Sequence, residues 1–188
     1  MKTAVQKVLA LQEERAKAYG DFEVDFRSYA KGGSDELYME GTKDVTARFQ
    51  SISSQINAVV ASLQEIKSHE ASQLCGWLTN LQRLEKEKLR ITVVLHFERK
   101  RQCQIEERLC EPDKHGEEKK CNCFLRRNTT NFQGGDDVFE LAMQESKVKQ
   151  LQRQLDETIT DINEILDEVR YFPGDDDQED ASAAAAAP

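Results

Sequence analysis

Proline and glycine are scarce in this sequence, with three prolines and nine glycines among 188 residues. Runs of β-branched residues are few as well. A sandwich, a barrel or a doubly wound sheet must turn often, and the residues that turn a chain are missing here. Long apolar runs are also absent: no stretch approaches the roughly 20 apolar residues that a membrane-crossing helix requires. The opening MKTAVQKVLALQEERAK becomes charged too soon for a secretory leader, so the expectation is a soluble intracellular protein with no membrane partner. Positive charge is in deficit, at 26 basic against 35 acidic residues, a net charge of -9. That balance opposes unaided binding to nucleic acid, where Lys and Arg must displace the counterions of phosphates. Five cysteines cannot all pair within one chain, and without a secretory route they are expected to stay as thiols.

What the sequence does contain is helical periodicity. Over residues 3–30, Val5, Val8, Gln12, Ala16, Tyr19, Phe22, Phe26 and Tyr29 recur by threes and fours and predict one buried face. Lys31-Gly32-Gly33 ends that helix, and Ser34 or Asp35 caps the next. The second seam reads Tyr38, Val45, Phe49, Ile52, Ile56, Val59, Leu63 and Ile66. Ser68 is placed to cap a third helix over residues 70–109. Its stripe is apolar through Leu74, Trp77, Leu81, Leu84, Ile91 and Leu95, then polar at Glu98 and Gln102. The polar half is expected to project past the bundle or to be loosely covered. A fourth helix over residues 138–171 carries Leu141, Val148, Leu151, Leu155, Ile159, Ile162, Leu166, Val169 and Phe172. Between the last two lies an aperiodic stretch, residues 110–136, and beyond Pro173 an acidic, Ala-rich tail expected to be disordered. The expectation is an all-α protein: an elongated antiparallel helical bundle or coiled coil of about four long helices. One domain would cover residues 1–172 and a tail residues 173–188. Heptads do not say whose helix fills a seam, so self-association stays open.

No catalytic signature is present: no phosphate-cradling glycine loop, no H-E-x-x-H and no nucleophile elbow. One cluster has metal-ligand chemistry, Cys110, His115, Cys121 and Cys123, which offers four soft donors for a tetrahedral zinc site. Its spacing lacks the paired knuckles of structural zinc sites, and free thiols in a loop are the plainer reading, so no cofactor is expected. Basic residues gather at Arg99, Lys100, Arg101, Lys119, Lys120, Arg126 and Arg127, with Phe124 among them. They are the candidates for nucleic-acid contact, but seven acids interleave with nine bases over residues 98–127.

Two stretches, VLALQEERAKAYGDFEVDFRSY (residues 8–29) and VTARFQSISSQINAVVASL (45–63), resemble the required-for-excision B-type domain family, associated with DNA repair. WLTNLQRLEKEKLRITVVL (77–95) continues the resemblance, and VKQLQRQLDETITDINEILDEVRYF (148–172) resembles its closing helix. The Leu-Gln-x-Glu-Arg-Ala motif of Leu11 to Ala16, with the spaced aromatics after it, carries most of the likeness. The resemblance implies a part in excision-type repair, residence in the nucleus and repair factors as protein partners. It brings no active site, and the seam-rich acidic chain reads as a non-enzymatic scaffold. Direct contact with DNA stays open. The competing reading is a structural coiled-coil subunit of a cytoskeletal, ciliary or trafficking assembly.

Overall fold

In the computed structural model residues 1–109 and 135–173 are described. Helix α1 spans Lys2–Ala30, α2 Asp35–Gln64, α3 His69–Leu109 and α4 Gly135–Arg170. No strand occurs among the described residues, so the class is all-α as expected. Helix α4 starts slightly earlier than its apolar spacing predicts. The tail beyond Pro173 and all but the end of the aperiodic stretch lie outside the described residues.

Local chemistry sets the helix ends. Gly32 adopts φ 93°, its N–H donates to Tyr29 O at 3.1 Å, and the Gly33 N–H donates to Ser28 O at 3.1 Å. This pair of bonds closes α1 with a left-handed residue that glycine reaches without strain. A Cβ on Gly33 would stand 2.8 Å from the Ser28 carbonyl oxygen, so that position also excludes side chains. Ser34 Oγ accepts from the Glu36 N–H at 3.2 Å and Ser68 Oγ from the Ala71 N–H at 3.1 Å, the two expected caps.

Spatially the chain forms two units, one of residues 1–87 and 158 onward, the other of residues 88–157. In the first, all four helices contribute to one apolar core. Val5 and Val8 of α1, Val59 and Leu63 of α2, Leu74, Leu78 and Leu81 of α3, and Ile162 and Val169 of α4 are buried together. Trp77 meets Phe172 edge-on at 5.7 Å, fixing the end of α4 against α3. Leu11, Ile52 and Ile56 continue the burial between α1 and α2. Toward the α1–α2 turn the packing is aromatic: Tyr19 lies 4.5 Å from Phe49, and Tyr29 stacks on Tyr38 at 4.5 Å. The aromatic row of α1 is therefore core. Two details correct the expected seams. Ala16 is exposed while Leu11, Arg15 and Ala18 are inside, and Ile66 is exposed because α2 ends at Gln64.

The second unit is an antiparallel pairing of α3 from Lys88 with α4 up to Glu157. Contrary to the expectation of loose cover, its polar stripe is tied down. Gln144 is buried, and its Nε2 donates to the Glu98 carbonyl oxygen at 2.8 Å and to Glu98 Oε2 at 2.7 Å. His96, Cys103 and Ile105 are buried as well. The reason is chemical matching: where α3 turns polar, α4 supplies polar partners instead of apolar ones. The apolar seam of α4 here, Leu141, Val148, Leu151 and Leu155, is only half-buried. Cys75 and Cys103 are both buried, and neither is in a disulfide.

Candidate functional site

Polar side chains converge at two places, one inside the first unit and one on the surface of the second. The inner one begins with α1 register. Val8, Leu11 and Ala18 point inward, so Arg15, which follows Leu11 by four positions, is carried inward too. Its side chain is 3% exposed and its Nη1 lies 3.8 Å from Oε1 of Glu85, itself 6% exposed. Arg15 Nη2 donates to Ser53 Oγ at 3.0 Å and to Gln82 Oε1 at 3.1 Å. Gln82 in turn donates through Nε2 to the Ser53 carbonyl oxygen at 2.9 Å and to Asn57 Oδ1 at 3.2 Å. The Tyr19 hydroxyl donates to the Glu85 carbonyl oxygen at 3.4 Å. One polar layer thus links α1, α2 and α3.

Burial governs the electrostatics of this layer. Loss of water lowers the Arg15 pKa from its ordinary value, against the opposing pull of the Glu85 charge. Loss of water pushes the Tyr19 phenol far up, and the Glu85 carboxylate adds to the rise. Gln12 Nε2 and Arg15 Nη1 are sealed without a hydrogen bond. The layer therefore holds a charge pair 3.8 Å apart in a dry setting, which fixes how three helices align.

On the surface of the second unit lie the basic candidates that are described. Arg99 turns to α4, where its Nη2 donates to Gln152 Oε1 at 2.7 Å. Arg101 reaches Glu140 Oε1 at 3.4 Å, and Arg108, not among the expected candidates, reaches Oε2 of the same carboxylate at 2.8 Å. Lys100 is half-buried beside them. Lys119, Lys120, Arg126 and Arg127 lie outside the described residues, as do Cys110, His115, Cys121 and Cys123 of the candidate zinc set. Among the described residues no group of His, Cys, Asp or Glu could hold a metal ion, and no helix is long and apolar enough to cross a membrane.

The Arg15–Glu85 pair escaped the sequence reading. The available signal was the position of Arg15, in step with Val8 and Leu11 on the apolar face. Arg15 of the Leu11–Ala16 motif and Gln82 and Glu85 of the Leu81-Gln82 and Leu84-Glu85 dipeptides, all within stretches that carry the family resemblance, are members of the layer.

Comparison with curated proteins and with solved structures returned no match. A family model described as DNA repair REX1-B matches residues 3–99, covering α1, α2 and the greater part of α3. The likeness seen over residues 148–172 falls beyond that match. With half of its length matched, the chain belongs to the DNA repair REX1-B family.

Proposed function

We propose that the protein is a non-enzymatic accessory factor of excision-type DNA repair, acting in the nucleus as a scaffold that holds repair factors together. One observation carries the scaffold reading. Three polar residues of the family stretches, Arg15, Gln82 and Glu85, are taken up in contacts between helices. An enzyme keeps its titratable groups in a cleft within reach of substrate. Here the ionisable pair with the strongest burial is sealed in the interior, and what faces outward is helix surface, the usual material of protein docking.

The test is removal of ultraviolet photoproducts in cells lacking the gene and in the same cells with it restored. The proposal expects slow removal that the restored gene corrects, together with co-purification of repair factors. Normal removal in the null cells overturns the repair role and favours a structural coiled-coil subunit. Turnover of damaged DNA by the purified protein alone overturns the non-enzymatic one.

A further inference from the structure

The outward face of α3 in the second unit carries a feature that the family match does not explain. The helix turns 3.6 residues per cycle, so positions separated by three, four or seven residues share a face. Arg90, Phe97, Arg101, Gln104 and Arg108 follow one another by such steps, and all five are exposed. Lys100 lies at the edge of the same face. The row is about 27 Å long at 1.5 Å per residue. The acids of this part of α3 stand elsewhere. Glu98 turns to α4, where it meets Gln144 and Lys147, and Glu106 bonds to Gln102. Glu107 flanks the row without interrupting it.

In the middle of these cations stands Phe97, 65% exposed. A large aromatic ring in water gains nothing from its own fold, and the long cationic side chains beside it can reach out to a polyanion. One class of ligand uses both the ring and the cations. A single-stranded nucleic acid places phosphates along the cations and a base on the ring, and a base has a stackable face whatever its sequence. A duplex keeps its bases stacked internally and would leave Phe97 unused. The acidic balance of the whole chain confines such contact to a local strip.

We propose that this face of α3, with Arg90, Lys100, Arg101 and Arg108 as phosphate contacts and Phe97 as a stacking platform, binds single-stranded DNA. The inference gives a ligand to the repair role proposed above and rests on that reading. Glu140 acts as its brake. It accepts from both Arg101 and Arg108, so it competes with phosphate for those two cations.

The experiment is fluorescence anisotropy of a labelled thymidine oligonucleotide of about 20 nucleotides with the full chain, alongside a duplex of equal length. Four phosphate contacts predict a log–log salt slope of about -3. Phe97→Ala should weaken single-strand binding by about 5- to 100-fold, the range of one lost base stack, with duplex binding unchanged. Arg90→Glu with Arg101→Glu should abolish binding, and Glu140→Gln should tighten it. Retained helicity by circular dichroism separates these effects from misfolding. Absence of oligonucleotide binding, or binding indifferent to the strip variants, overturns the inference. So does a strip whose variants lose only a protein partner. None of those results touches lesion removal in null cells, so this inference and the repair reading fail by different experiments.

Discussion

The two units bury polar groups alike but place their charge pairs differently. In the first, four helices meet, and Arg15 and Glu85 are enclosed among Leu78-, Leu81- and Ile56-type core at exposures of a few per cent. In the second, the buried seam of His96, Ile105 and Gln144 holds no enclosed charge pair of this kind among the described residues, and its ion pairs stand in water, as where Arg101 and Arg108, each more than half exposed, share Glu140. The difference teaches where each unit's stability comes from. A buried pair is worth little as a pair, but removing one member strands the other in a dry interior. A solvated pair gives little and loses little.

Breaking the sealed layer should therefore give the largest effect. Glu85→Ala is expected to cost about 3–5 kcal/mol in urea unfolding, because Arg15 keeps its charge with no anion beside it. The double variant Arg15→Met with Glu85→Leu should be milder than Glu85→Ala and retain the helical spectrum, since neither charge is left stranded and only the bonds of Arg15 Nη2 to Ser53 Oγ and Gln82 Oε1 are lost. Additive losses in that cycle would show that the pair is not coupled. Leu78→Ala, at a fully buried site where α3 meets the four-helix core, should cost about 2–5 kcal/mol.

The layer also sets a pH limit. The Tyr19 pKa is raised in the folded state, first by burial and then by Glu85. Its contribution is thus complete below the ordinary tyrosine value of about 10 and is lost as pH rises beyond it. Unfolding midpoints followed from pH 8 to 11 should fall at the alkaline end, and Tyr19→Phe should flatten that fall.

Smaller effects sharpen the contrast from the outside. Gly20 is exposed in the interior of α1 with open space around its Cβ position, so Gly20→Ala should stabilise by up to about 1 kcal/mol. Glu140→Gln in the second unit should change stability by less than about 1 kcal/mol, and the change should shrink further in high salt.

Much of the fold was legible because local rules set it. The 3–4 spacing of Val45 to Leu63 gave the buried face of α2, Gly32-Gly33 the turn, and Ser34 and Ser68 the caps. The polar layer was not legible, for a physical reason. On α1 the step from Gln12 can be continued by Arg15 or by Ala16, and a charge is ordinarily read as solvated. The register of α1 carries Arg15 inward, but its anionic partner Glu85 lies on a helix far along the chain, and local periodicity does not encode that pairing. The basic row of α3 was hidden likewise. Arg99, Lys100 and Arg101 are contiguous and draw the eye, yet contiguous helical residues point in different directions. Only the knowledge that Arg99 turns to Gln152 reveals Arg90, Phe97 and Arg108 as the companions of Arg101.

The division of labour between a sealed layer that holds the fold and an outer α3 face that meets the ligand is best tested by rescue. Null cells would receive either Arg15→Met with Glu85→Leu or Arg90→Glu with Arg101→Glu, each confirmed as folded, and photoproduct removal would be followed. The account predicts that the first variant restores removal and the second does not. Rescue by the strip variant, with failure of a well-folded layer variant, would contradict it and move the functional chemistry into the interior.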